Sequence, residues 1–173
     1  MTAAPAAPIA IRFATRADVP TILAFIRALA DYERLAHEVV ADEPALAATL
    51  FGDRPAAEVL IAELAGAPVG FALFFPSYST FLARPGLYLE DLFVDPAARG
   101  QGVGLALMSA LAQVAVARGY GRFEWSVLDW NAPALGFYAA LGARPQDEWT
   151  VQRLTGAPLA ALAGRWPGSI APA

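Results

Sequence analysis

The chain predicts a mixed α/β fold: a central, mixed and twisted sheet with helices on both faces. Three observations predict it. Helical and strand periods alternate along the chain, strands cluster in its middle, and 173 residues of high apolar content suffice for one core. A single domain over 1–173 is expected, with its core from about residue 9 to 156 and a tail at 157–173.

Each element has a local reason. "IAIRFA" alternates as a short first strand. In "TRADVPTILAFIRALADYERL", Thr15 and Asp18 have capping-box spacing, Pro20 lies in the first turn, and Val19, Ile22, Leu23, Ile26 and Leu29 share one helical face. "DEPALAATLFG" repeats the plan, with Asp42 as cap, Pro44 at the start and Gly52 as stop. "EVLIAELAGAPVGFALFF" reads as two strands broken at Ala65–Pro68, and "LYLEDLFV" as a third, with "PSYSTFLARPG" as the loop between. A helix over about Val103–Arg118 follows, apolar around most of its surface and therefore covered on more than one side. "RFEWSVL" is a strand, and Asn131 caps the short helix "APALGFYAALG", which has Pro133 in its first turn and Gly142 as its stop. "EWTVQRLT" supplies a last strand, and the Ala/Pro/Gly-rich tail after Gly156 is expected to be loosely ordered.

Composition excludes several functions. The net charge is −4 and the twelve basic residues, all arginine, are scattered, which argues against a nucleic-acid partner. The absence of cysteine rules out disulfides, thiolate metal sites and an acyl-cysteine intermediate, and the lone His37 leaves no histidine cluster, so no metal is expected. His37 is read as a surface residue. No basic stretch followed by an apolar one opens the sequence, which makes a cytoplasmic protein the default. The uncharged run Gly100–Ala117 approaches membrane-span length, but its glycines, Ser109 and Gln113 mark a core helix, and no membrane partner is expected.

The stretch "VDPAARGQGVGLALM" carries three glycines before that helix. A Walker loop requires a lysine that the chain lacks, and Leu105 breaks the Rossmann spacing. The pattern left is Arg99-Gly100-Gln101-Gly102-Val103-Gly104 at a helix N-terminus, where free N–H groups, the dipole and Arg99 suit a pyrophosphate. A glycine turn fitted for tight helix packing is the competing reading.

"LYLEDLFVDPAARGQGVGLALM" followed by "WNAPALGFYAALGA" resembles the GNAT superfamily of acetyl-CoA-dependent N-acetyltransferases, from about Ile11 to Leu154. With "IRFATRADVPTILAFIRALADYERL", it is most similar to the diamine (spermidine/spermine) and thialysine N-acetyltransferase group. The resemblance implies that the strand ending at Val94 splays from "RFEWSVL" to leave a cleft for acetyl-CoA. It further implies that Leu92, Phe93 and Val94 offer backbone groups to the pantetheine arm, that Arg99, Gly100, Gln101, Gly102, Val103, Gly104 and Leu105 hold the pyrophosphate, and that Asn131 to Ala134 line the far side. A homodimer is implied in the same way.

Acetyl transfer needs the amine to lose a proton and the departing thiolate to be stabilised. Glu90, an acid inside an apolar strand, is the candidate base acting through water, against the plainer reading of a solvent-facing strand carboxylate. By alternation Asp91 points to the opposite face and is the weaker candidate. Tyr138, placed by the match of "GFYAALGA" to the family motif, is the candidate acid and also borders the cofactor. For a cationic amine the candidates are Tyr32 and Glu33, Glu90, Glu124 and Trp125, and Asp147, Glu148 and Trp149, each carboxylate also explicable as a solvated surface charge. The spacing in "RPQDEW" departs from the polyamine enzymes, so either Asp147 or Glu148 could occupy the substrate position. The expected activity is acetyl transfer from acetyl-CoA directly to a primary amine of a small cationic metabolite. The competing readings are acetylation of protein amines and a CoA-binding sensor without catalysis.

Overall fold

Five strands form one sheet in the computed structural model, in the order β1-β2-β3-β4-β5, antiparallel except for the parallel pair β4–β5. The structure describes residues 8–165 and Gly168. It divides into two compact units, one up to Ser126 and one from Val127.

The first unit holds the whole sheet: β1 (Ile9–Phe13), β2 (Glu58–Leu64), β3 (Ala67–Ser79), β4 (Arg84–Val94) and β5 (Phe123–Trp125). Helix α1 (Val19–Glu33) begins where the Thr15 N–H donates to the Asp18 carboxylate at 2.7 Å, and Arg34 ends it in the left-handed region at φ 64°. Its buried Val19, Ile22, Leu23 and Phe25 pack with Leu46 and Leu50 of α2 (Glu43–Phe51) on Val59, Ile61, Phe71 and Phe93 of the sheet. The Phe25 ring lies 5.6 Å from Phe71 and 5.7 Å from Phe93, so aromatic packing anchors this layer. Asp42 caps α2 by accepting from the Ala45 N–H, and glycine is required at 52 because a Cβ there would collide with the Ala48 carbonyl.

Helix α3 (Val103–Ala117) touches β1 to β4 and buries Val103, Leu107 and Leu111. Strand residues of the opposite parity, among them Leu60, Ala62, Ala72 and Phe74, are buried yet lie outside the α1 cluster, so α3 covers the second face. Arg12 ties β1 to the start of α1 and to β2, with Asp18 and Glu63 each accepting at 2.8 Å. Those hydrogen bonds from Arg12 hold the Asp18 carboxyl far below the usual carboxylate range.

Three expectations for the first unit are corrected. The break between β2 and β3 is only Ala65-Gly66, both at positive φ, a two-residue hairpin turn. The expected loop "PSYSTFLARPG" is mostly strand, since β3 runs to Ser79 and β4 starts at Arg84. Cross-strand pairing there overrides the turn-forming residues Pro76, Ser77 and Gly86. Finally, "RFEWSVL" keeps only Phe123–Trp125 as strand.

In the second unit, Asn131 caps α4 (Ala132–Ala140) by accepting from the Ala134 N–H at 3.3 Å, and Gly142 follows at φ 86°. The last strand expected over "EWTVQRLT" is not formed: its described residues are turn and coil. A strand exists only by pairing, and no described strand of this unit offers it an edge. Of the tail expected to be loose, the first part instead forms α5 (Gly156–Ala163), in keeping with its leucine and alanine content, while 166, 167 and 169–173 lie outside the described residues. No helix of the described residues is long and apolar enough to cross a membrane.

Candidate active site

The register of β4 changes at one residue. Against β3, Phe93 faces Phe71 and Asp91 faces Leu73, but the next pair is Leu89 with Phe74, so Glu90 is the extra residue of a β-bulge. The bulge reverses the expected alternation. Asp91 shares its face with Phe93 and Leu73, both packed at the α1 core, whereas Leu89 pairs with Phe74 on the α3 face. Asp91 therefore lies under α1, half-buried, on the opposite side of the sheet from Leu89 two residues before it.

Burial, the negative charge of Glu90 and that of Glu33 push the Asp91 carboxyl up to about 6. Glu33, at the end of α1, is also raised by its own burial. Two carboxylates thus act on the half-buried Asp91, an arrangement costly to folding and suited to a cation. The linkage has a definite sign. An acid whose folded value is raised is most favourable to the fold while protonated, and its contribution declines as pH rises from about 4 through about 6. Asp91→Asn is accordingly expected to melt higher than the parent at pH 7.5 and equally at pH 3.5, as calorimetry at the two values would show. A mutant less stable at pH 7.5 would refute the assignment.

The bulge also stands where β4 leaves β5. Leu89 opposite Trp125 is the last parallel pair, and β4 continues to Val94, so residues 90–94 have no described strand on that side. Leu92, Phe93 and Val94 are the backbone segment expected to receive the pantetheine arm, and the Val94 carbonyl here accepts from Arg99 Nε at 3.1 Å. Tyr88, just before the bulge, was not anticipated: its ring lies tilted against Phe75, centroids 5.2 Å apart, and its hydroxyl meets Ser126 Oγ at 2.8 Å. Nothing in the sequence marks it, because a tyrosine in a strand is ordinary packing.

The glycine turn follows. Gly100 and Gly102 sit at φ 74° and 86°, conformations that explain glycine at both positions. A Cβ at Gly100 would meet nothing within 4 Å, so tight packing does not account for this glycine. Gly102 is the N-cap of α3, and Ala106 N–H makes the bond to its carbonyl, leaving the N–H groups of Val103, Gly104 and Leu105 without an acceptor from within the helix. Arg99 is exposed beside this cradle, its guanidinium 5.0 Å from the centre of the Tyr32 ring. Gln101 reaches back to the Ala97 carbonyl at 3.3 Å.

The first unit thus gathers Tyr32, Glu33, Glu90, Asp91 and Arg99. It sets apart Glu124, which is paired with Arg122 at 2.6 Å, and Trp125, which packs edge-on against Phe123 in register with Leu89 on the α3 face. In the second unit Asn131 is buried as the α4 cap, and Tyr138 stands on α4 with its ring 5.3 Å from Phe137. Asp147, Glu148 and Trp149 are exposed in coil.

A sheet that parts after β4, a bulged acidic pair at the parting and a glycine cradle opening α3 are the marks of an acyl-transfer fold, and residues 23–143 match the acetyltransferase (GNAT) family. The chain belongs to that family and is an N-acetyltransferase. It is 40% identical to the thialysine N-epsilon-acetyltransferase of Sus scrofa, over 92% of this chain and 99% of that one. To the L-ornithine N5-acetyltransferase of Arabidopsis thaliana it is 37% identical, over 88% and 86%. Among solved structures, an integron cassette protein from V. cholerae superposes with a TM-score of 0.76 at 27% identity, covering 90% of this chain and 97% of that one.

Proposed function

We propose that the protein transfers acetyl from acetyl-CoA directly to a primary amine of a small cationic metabolite, of the ornithine, thialysine or diamine class. The observation that carries this reading is the β4 bulge, which sets Glu90 and Asp91 at the point where β4 leaves β5. The relatives named for thialysine and ornithine support the substrate class, since both molecules are amino acids with a side-chain ammonium.

The cradle fits a diphosphate: N–H groups at the start of α3, open space at Gly100 and the exposed cation of Arg99. When bound there, acetyl-CoA supplies the activated thioester. The remaining work falls to this chain. Asp91, titrating near 6, is ionised at neutral pH and with Glu33 holds the ammonium. An alkylammonium titrates near about 10.4, so Glu90, the exposed member of the pair, takes its proton through water before attack. Tyr138 carries the role of proton donor to the departing thiolate by its match to the family motif. In general a phenol holds its proton more tightly than a thiol, at about 10 against about 8.5, so this residue type suits donation to a thiolate. With no cysteine in the chain, the acetyl group passes to the amine without an acyl-cysteine step.

The reading extends to a cytoplasmic homodimer. Exposed Trp149, Val151, Leu154, Leu159 and Leu162 support a partner surface in the second unit.

Thiol release from acetyl-CoA across L-ornithine, thialysine, lysine, putrescine, spermidine and an aminoglycoside tests the proposal. Turnover is expected with one of the first four or spermidine. Binding of CoA with no turnover on any amine would favour a sensor, and turnover only on protein amines would overturn the substrate class.

A further inference from the structure

The guanidinium of Arg99 belongs to two places at once. It leaves the residue that opens the glycine cradle, yet it lies over the ring of Tyr32, at the last turn of α1, 5.0 Å from the ring centre. Tyr32 directly precedes Glu33, whose charge acts on Asp91. The arginine of the diphosphate seat is therefore in contact with the residue next to one of the ammonium-holding carboxylates.

We infer that Arg99 couples the two substrates: while it lies on Tyr32 it opposes the cationic amine, and a diphosphate in the cradle draws it off and opens the ring to that amine. The inference rests on the reading of the cradle as a CoA site and adds what that reading lacks, a coupling between the two ligands. Two cations compete for one electron-rich ring. A guanidinium on the ring occupies the face that an ammonium would use and adds a like charge beside it. A diphosphate is a stronger attraction for a guanidinium than a phenol ring, because it offers paired anionic oxygens in the geometry of the guanidinium fork. The Nε hydrogen bond to the Val94 carbonyl keeps Arg99 at the mouth of the cradle, so only the far end of the side chain has to move. Arg99 is thus a positioning residue for the amine, acting through Tyr32, besides any direct contact with the diphosphate.

Coupling is reciprocal, so each ligand must tighten the other by one factor. An exposed cation–π contact corresponds to about a two- to fivefold change in affinity, and that is the expected size.

The test uses CoA, which lacks the acetyl group and so permits binding of both ligands without reaction, with L-ornithine and thialysine as probes in calorimetric titrations. For the full-length protein, amine affinity is expected to rise two- to fivefold when CoA is saturating. In Arg99→Gln the amine is expected to bind equally with and without saturating CoA, at the tighter of the two wild-type values. Tyr32→Phe, which keeps the ring, is expected to keep the coupling, and Tyr32→Leu to lose it. Coupling that persists in Arg99→Gln, or amine affinity indifferent to CoA in the wild type, would overturn the inference while leaving the acetyltransferase reading intact. Failure of CoA or of both amines to bind at all would overturn both.

Discussion

Glu90→Gln is expected to lower kcat by about a hundredfold at pH 7.5 and to change the amine KM by less than threefold. The size is the low end of what a positioned base contributes. KM is spared because Asp91 and Glu33, the more buried carboxylates, remain to hold the ammonium. The pH profile carries the distinctive signature. Without the base, the amine must lose its proton unaided, so log kcat of the mutant climbs with pH toward the amine's own value of about 10.4, while the wild type levels off earlier. Steady-state thiol release from pH 6 to 9.5 reads both effects. The opposite pattern, with Asp91→Asn losing kcat and Glu90→Gln losing only affinity, would exchange the roles of two neighbours that the bulge places together.

Tyr138→Phe is expected to lower kcat by about a hundredfold as well, for the other half of the chemistry. The substitution removes one oxygen and retains the ring that packs near Phe137, so folding and CoA affinity should be nearly unchanged. The missing proton is felt only as the thiolate leaves. An acyl donor whose thiol is more acidic needs less help, so the defect should shrink when the leaving group is a better one. A rate within threefold of the wild type would remove Tyr138 from the mechanism.

Much of this was legible from local sequence signals. The capping box of Thr15 and Asp18, the caps at Asp42 and Asn131 and the glycines at 52, 100, 102 and 142 follow from backbone chemistry that a few residues determine. The glycine cradle was visible as spacing, and the structure adds the open space at Gly100 that separates a ligand seat from a packing turn. What the sequence obscured depends on pairing between distant segments. A period of two assigns Glu90 and Asp91 to opposite faces, and only the register of β4 against β3 shows the inserted residue that puts Asp91 under α1. Two adjacent acids in an otherwise apolar strand were the available hint. The contact of Arg99 with Tyr32, 67 positions apart in sequence (99 − 32), has no local signal at all. "EWTVQRLT" failed for the converse reason: its strand-like composition has no described partner strand in its own unit.

Direct transfer of acetyl from CoA to a small amine requires both substrates together in one ternary complex. Initial velocities measured with acetyl-CoA varied at several fixed concentrations of thialysine or L-ornithine test it most directly, with the acetylated amine and free CoA quantified together. Intersecting reciprocal lines with the two products in equal amounts are the predicted result; parallel lines, or CoA released without acetylated amine, would contradict it.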